Sequence, residues 1–326
     1  MAKENPTIAD MPTKEQIIEL LQDKDVYMNG GEKFDAEMVA ACPNLKLLMC
    51  VRDGAEESID VKACEEAGLP VLSGGGRCMV SVAELTLCFM LLMARPVVAV
   101  SNYIKQNGWT KENSAPVRAM YNDFSTELWE KTAGIIGLGR NGYQLAQYCK
   151  AMNMKVISYD PYKDKEAMAK EDIEMVDLDT LMKTADYVII LARVTDDNYH
   201  MINREKIEMM KPNAVLINPA RGKLLETDAL LDALEQDKIR GACLDAHETE
   251  PLGLDNREMK FDQSKLILTP HMAGKTAERP QHQYELIFAN FKKFIDGEEV
   301  PWIYAKNAKN QPGWANRGAK IEGINK

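Results

Sequence analysis

The sequence predicts an α/β protein built on doubly wound parallel sheets, and three observations carry that prediction. Short apolar strands alternate with helical runs along most of the chain, the pattern of right-handed βαβ units. A glycine triplet, Gly137-x-Gly139-x-x-Gly142, stands between a buried-strand pattern and a helix. An acid, Asp160, closes the next strand, 18 residues past Gly142, where such folds place the group that binds an adenosine ribose.

Taken in chain order, residues 35–95 give a strand at 45–51, a helix at 61–67, a strand at 70–72 and an apolar helix at 81–94. Ser81-Val-Ala-Glu84 reads as a capping box opening that last helix. Glu84, Thr86 and its short length argue against a membrane span. A helix apolar on nearly all sides must be buried, and an interface position or the core of a monomer would each serve. Residues 97–131 are mixed. From 133 the alternation becomes regular, with strands at 133–137, 155–159, 186–191, 214–218, 241–244 and 266–268. Helices fall at 140–151, 178–184, 204–210, 227–236 and 276–295. The tail, 306–326, lacks periodicity.

With 326 residues there is room for two domains with proper cores. A net charge of −10 and the lack of any basic run exclude a nucleic-acid groove. Seven scattered cysteines, with no Cys-x-x-Cys or Cys/His cluster, predict neither a metal site nor a disulfide frame. Buried free thiols in a reducing cytoplasm are the expectation. Met1-Ala-Lys-Glu-Asn is followed by no apolar core and does not read as a signal peptide.

The glycine motif has a physical reading. Gly137 makes a tight turn, Gly139 lets backbone approach a pyrophosphate, and Gly142 lets the helix pack closely on the sheet. Arg140 and Asn141 open that helix, whose N-terminal N–H groups and positive dipole end face the phosphates. An NAD-type cofactor is the expected ligand. Asp160 would accept from the ribose hydroxyls and repel the 2′-phosphate of NADP.

Three islands downstream share one form, an apolar strand whose C-terminal end delivers polar residues. They are Leu216-Ile-Asn-Pro-Ala-Arg221-Gly222, Gly241-Ala-Cys-Leu-Asp245-Ala-His-Glu-Thr-Glu250-Pro251 and Leu266-Ile-Leu-Thr-Pro-His271. In open α/β sheets that edge faces the ligand crevice. Each residue has a plain alternative: Arg221 a surface arginine, Glu250 a solvated acid, His271 a helix cap. Together they suit hydride transfer between a 2-hydroxy acid and a 2-keto acid. A histidine moves the proton, a carboxylate orients and charges it, and an arginine fork grips the substrate carboxylate. His200, His247 and His282 lack strand-end placement and read as structural or surface residues.

At this point the chain resembles the D-isomer-specific 2-hydroxyacid dehydrogenases, which include phosphoglycerate, D-lactate and glyoxylate/hydroxypyruvate reductases. The likeness runs from about residue 35 to 300. It rests on Glu127-Leu-Trp-Glu-Lys-Thr-Ala-Gly-Ile-Ile-Gly-Leu-Gly-Arg-Asn-Gly, Asn218-Pro-Ala-Arg-Gly, Leu244-Asp-Ala-His-Glu-Thr-Glu-Pro and Thr269-Pro-His. The resemblance implies Arg221, Glu250 and His271 as the catalytic set. It places the acid for the nicotinamide carboxamide on Asp245 and puts Ala220 beside the cofactor.

It also implies a Rossmann cofactor domain, residues 97–294, inserted in a flavodoxin-like substrate domain made of 1–96 and the returning segment 295–326. The assembly it implies is a homodimer with helix 81–94 at the interface. Val51-Arg52-Asp53-Gly54 becomes the loop whose backbone holds the substrate carboxylate, and Gly74-Gly-Gly-Arg77 borders the substrate. Arg52 and Arg77 would suit an acidic or phosphorylated substrate tail.

The chain departs from the family pattern at four places. Leu191-Ala-Arg193-Val-Thr195 replaces a His-x-Pro segment, which leaves NADP open. Asn141 replaces a branched apolar residue, and His247 stands where an aromatic or aliphatic residue is common. The family's first strand and helix are hard to find before Lys14. The resemblance also admits a non-catalytic, NAD-binding corepressor-like protein, or another enzyme on a similar scaffold such as formate dehydrogenase. The intact Arg221, Glu250 and His271 set favours the hydroxyacid reading.

Overall fold

The computed structural model describes residues 12–51, 54–298, 300 and 303–304, with side chains excepted at 120–124 and 303–304. The chain begins with α1 (Lys14–Leu21), β1 (Val26–Asn29), α2 (Ala36–Ala41), β2 (Leu47–Cys50), α3 (Val61–Glu66) and β3 (Val71–Ser73). Three helices follow, α4 (Met79–Ala94), α5 (Val97–Asn107) and α6 (Ser114–Phe124). The regular alternation then runs β4 (Thr132–Ile136), α7 (Arg140–Ala151), β5 (Lys155–Tyr159), α8 (Lys165–Ala169), β6 (Glu174–Met175), α9 (Leu178–Thr184) and β7 (Tyr187–Ile190). It continues through α10 (Arg204–Glu208), β8 (Val215–Asn218), α11 (Thr227–Glu235), β9 (Gly241–Leu244) and β10 (Leu266–Leu268). The chain returns through α12 (Arg279–Ile295) and β11 (Ile303–Tyr304).

These elements form two compact units. One combines the chain's two ends, through Arg77 and from Ala277 onward; the other is Cys78–Thr276. The larger unit holds a seven-stranded sheet in the order β10-β9-β8-β7-β4-β5-β6, with every pairing parallel. Its central strands β7 (Tyr-Val-Ile-Ile) and β8 (Val-Leu-Ile-Asn) are buried at every position, as expected of strands covered on both faces.

Alternate residues feed opposite cores. Ile136, Val188, Leu216 and Leu244 join α9, α10 and α11 on one face. Ile135, Ile189, Ile217 and Cys243 join α4 and α7 on the other. The end-to-end unit repeats this scheme with the order β1-β2-β3-β11. Leu48 and Val71 pack with α1, α2 and α3, while Leu47, Met49 and Leu72 pack with Ile287 and Phe294 of α12.

Several expectations need correction. The smaller sheet is parallel except for β11, which pairs antiparallel with β3. The structural division falls at residues 77/78 and 276/277, not at 96/97 and 294/295. The reason is packing: Phe89, Met90 and Met93 of α4 share a core with Leu145 and Cys149 of α7, whereas α12 covers β2 and β3. The capping box at Ser81 is absent. The helix starts at Met79, and Ser81 lies inside its first turn, donating from Oγ to the Cys78 carbonyl at 3.2 Å. In the single chain Val80 and Leu91 of α4 are exposed. Among the described residues, no single helix is long and apolar enough to cross a membrane.

Candidate active site

The glycine turn leaves β4 where its neighbours are β5 on one side and β7 on the other, the switch point at which such sheets bind ligands. Gly137 has φ 93°, and a Cβ there would lie 2.6 Å from Ala192 N. A Cβ on Gly142 would lie 2.2 Å from the Gly137 carbonyl oxygen. Both glycines are therefore required by the chain itself. Gly139 is different. It is the extended N-cap of α7 (φ −70°, ψ −164°), and nothing lies within 4 Å of a Cβ placed on it. The fold does not need glycine there, but a pyrophosphate approaching the bare N–H groups of a twelve-residue helix does. The residues present thus fit a dinucleotide.

Asp160 is fixed by two backbone donors: Leu138 N–H to Oδ2 at 2.8 Å and Tyr162 N–H to Oδ1 at 2.9 Å. A carboxylate has about four acceptor positions, so each oxygen keeps capacity for a ribose hydroxyl. Arg193 is exposed in the loop after β7, and its carbonyl accepts from Asn198 Nδ2 at 2.7 Å.

The three polar islands end adjacent parallel strands, β8, β9 and β10. Asn218, fully buried at the end of β8, shapes the turn that follows. Its Oδ1 accepts from Ala220 N–H at 3.1 Å, and its Nδ2 donates to the Arg221 carbonyl at 2.9 Å. Gly222 then passes so close to the β9 loop that a Cβ would sit 2.0 Å from the His247 carbonyl carbon. This turn leaves the Arg221 side chain exposed, with Nη1 donating to the Ala220 carbonyl at 2.8 Å.

At the end of β9, fully buried Asp245 gathers the segment that follows β10. Its Oδ1 accepts from Thr269 Oγ1 (2.6 Å) and Met272 N–H (2.8 Å), and its Oδ2 from Ala273 N–H (2.8 Å). Its carbonyl accepts His271 N–H at 2.8 Å. These bonds hold His271 at φ 51°, a conformation uncommon outside glycine that persists where surroundings over-determine it.

His271 Nδ1 lies 2.8 and 3.0 Å from the two oxygens of Glu250. A carboxylate only accepts, so Nδ1 carries a proton and Nε2 is the position at which a proton is taken or given. Burial acts to raise the Glu250 carboxyl. The His247 N–H, which donates to Oε1 at 2.9 Å, and the His271 ring outweigh burial and hold the carboxyl below the ordinary carboxylate value.

The structure thus joins Glu250 to His271 directly and sets Arg221 and Asp245 on the neighbouring strand ends. Arg52 and Asp53 lie outside the described residues. In the other unit, Gly54 caps the short 3-10 turn Ala55–Glu57, and Arg77 Nη1 donates to Gln283 Oε1 at 2.7 Å. His200 stacks on Tyr199 and pairs with Glu248 at 2.6 Å, and His282 is exposed on α12. His247 is no surface residue; it is 7% exposed and bonded within the site. Asn218, Thr269 and Glu258 also belong to this scaffold. The signal for Asn218 and Thr269 was a polar side chain at the end of an otherwise apolar strand. Among the described residues no cluster of His, Cys, Asp and Glu could hold a metal ion.

Comparison with known proteins shows the family. Residues 87–273 match the family profile described as D-isomer specific 2-hydroxyacid dehydrogenase, NAD binding domain. The chain is 35% identical over 302 residues to the D-3-phosphoglycerate dehydrogenase of Methanocaldococcus jannaschii, covering 92% of this chain and 54% of that one. It spans about half the length of the phosphoglycerate dehydrogenases it matches. The glyoxylate reductase of Thermofilum pendens is 34% identical over 298 residues, 90% of this chain and 85% of its own. Among solved structures, D-lactate dehydrogenase from Aquifex aeolicus, complexed with NAD and lactic acid, superposes with TM-score 0.66. That match is 28% identical and covers 89% of this chain and 87% of the other.

Proposed function

The chain belongs to the D-isomer-specific 2-hydroxyacid dehydrogenase family, and from that premise we propose that it interconverts a D-2-hydroxy acid and its 2-keto acid using NAD(H). The observation that carries the reading is the His271–Glu250 pair, with Nδ1 held by both carboxylate oxygens. Gly137, Gly139, Arg140, Asn141, Gly142 and Asp160 would hold the cofactor's adenosine half, with Ala220 and Asp245 toward the nicotinamide. When bound, the cofactor supplies the hydride.

The protein's own part is proton and charge. In reduction, imidazolium His271 donates the Nε2 proton to the carbonyl oxygen as it becomes a hydroxyl. In oxidation, neutral His271 accepts that proton at Nε2. Glu250 stabilises the charged ring and fixes its orientation. Arg221 pairs with the substrate carboxylate and polarises the carbonyl. Asp160 favours NAD over NADP by repelling a 2′-phosphate.

Turnover of NADH with a panel of 2-keto acids, from glyoxylate and hydroxypyruvate to phosphorylated and aromatic members, tests the reading. Absence of turnover with every member, alongside intact NADH binding, would return the chain to the non-catalytic, corepressor-like alternative.

We also propose a homodimer in a cytoplasmic setting. Val80 and Leu91 of α4 and Val97 and Val98 of α5 are exposed apolar residues that a second copy would cover. Seven free cysteines suit a reducing compartment. Sedimentation showing only a 36.6 kDa species would remove the dimer.

A further inference from the structure

We propose that His247, buried beside Glu258, is a positioning residue for the Glu250–His271 couple. The proposal rests on the reading of that couple as the acid–base pair. His247 bonds Glu250 directly and reaches His271 through the Thr269 carbonyl. Its backbone N–H donates to Glu250 Oε1 at 2.9 Å. Its ring Nε2 lies 2.9 Å from the Thr269 carbonyl, which also accepts His271 N–H at 3.0 Å. One residue therefore ties the carboxylate to the segment that carries the histidine.

The ring chemistry is constrained. A carbonyl can only accept, so Nε2 carries a proton. Nδ1 is buried and makes no hydrogen bond, and Glu258 Oε1 lies 3.6 Å from it, an ion-pair distance. The two side chains are 3% and 8% exposed. An isolated charge is costly at such burial, and Glu258 is the group placed to compensate a charged ring. Burial works against a charged ring, but Glu258, the Thr269 carbonyl and nearby Glu250 outweigh it and raise the His247 pKa above the ordinary histidine value. Glu258 on the 3-10 turn Arg257–Lys260 and Glu250 on its own loop are the charged groups acting on the ring. Gly222 packs on its backbone carbonyl from the Arg221 turn. The β8, β9 and β10 strand ends are thus locked together around His247, where an apolar residue would fill the volume but supply no ring donor.

Two conservative variants separate the two ring positions. His247→Gln carries an amide N–H as far as Nε2 and can still donate to Thr269. His247→Asn reaches only as far as Nδ1 and cannot. The readouts are kcat and KM against pH for keto-acid reduction, and the ring tautomer of His271 by ¹⁵N NMR, which the chain's four histidines keep simple.

His247→Gln should keep kcat within a few-fold. His247→Asn should lose about 10²-fold in kcat, the scale of an ångström-sized misplacement, with NADH affinity unchanged and His271 no longer held as the Nδ1–H form. Equal kcat and equal His271 spectra in the two variants would overturn the proposal. If the parent reduces no 2-keto acid, the functional reading fails; the NMR comparison then still decides the positioning claim, since a His271 tautomer unchanged in His247→Asn rejects it.

Discussion

Replacing Glu250 by Gln isolates the charge of the acid–base pair from its geometry. Glutamine has the same length and keeps an acceptor for His271 Nδ1–H and for His247 N–H, at positions that now lie within 3.0 Å of their donors. What disappears is the negative charge beside the ring, together with one of the two acceptors, since an amide nitrogen takes the place of one oxygen. Coulomb's law gives about 1 kcal/mol for unit charges 4 Å apart in water and about 4 kcal/mol at the effective dielectric of a protein surface. The side chains are 40% and 38% exposed, so screening keeps the value at the lower end, about 1–2 kcal/mol. That corresponds to roughly a 5- to 30-fold change in an equilibrium or a rate.

The sign follows from the roles. Reduction uses imidazolium, which the carboxylate favours, so losing that interaction should lower the variant's reduction rate by roughly 5- to 30-fold. Stability carries a pH dependence of its own. Glu250 is held below its ordinary value in the fold, so its contribution is present above the unfolded pKa and fades as pH falls through the folded one. The parent's Tm should therefore drop more on acidification than the variant's. The assay is kcat for keto-acid reduction in parent and variant, and equal rates would refute Glu250 as the histidine's partner.

Arg221→Lys should lower kcat/KM for the keto acid by about 10²-fold or more, because a point charge cannot reproduce the bidentate fork; parental affinity and rate would reject the carboxylate-clamp role. Gly222→Ala places a Cβ 2.0 to 2.2 Å from His247 C and O and Glu248 N. Since backbone must move, thermal melts should show about 1–3 kcal/mol lost, and an unchanged Tm would contradict the packing described. Asp160→Ala should relax preference toward NADP(H) in fluorescence titrations, while also weakening NADH because Leu138 and Tyr162 lose their acceptor. Parental preference for NADPH over NADH would instead point to Arg193.

The larger unit was legible because its strands are buried on both faces and read as uninterrupted apolar runs. The expected 155–159, 241–244 and 266–268 coincide with β5, β9 and β10, and 140–151 with α7. The two-residue β6 and five-residue α8 offer no periodic pattern long enough to read. α5 buries none of its residues, so its apolar positions mark no core face, and 97–131 looked mixed. Ser81 misled because Ser-x-x-Glu occurs inside a helix as readily as at its start, and tertiary packing began α4 two residues earlier. In the site, Arg221, Glu250 and His271 stood out as charged groups after apolar strands. His247 did not, since its function depends on burial and on Glu258, eleven residues away in sequence and adjacent only through the fold.

The central claim is that His271 moves the proton in a 2-keto acid reduction, and His271→Gln tests it most directly when NADH binding and turnover are measured on the same preparation. The account predicts NADH affinity within a few-fold of the parent and a turnover rate lower by about 10²–10⁴-fold. An unchanged turnover rate in a variant that binds NADH normally would contradict it.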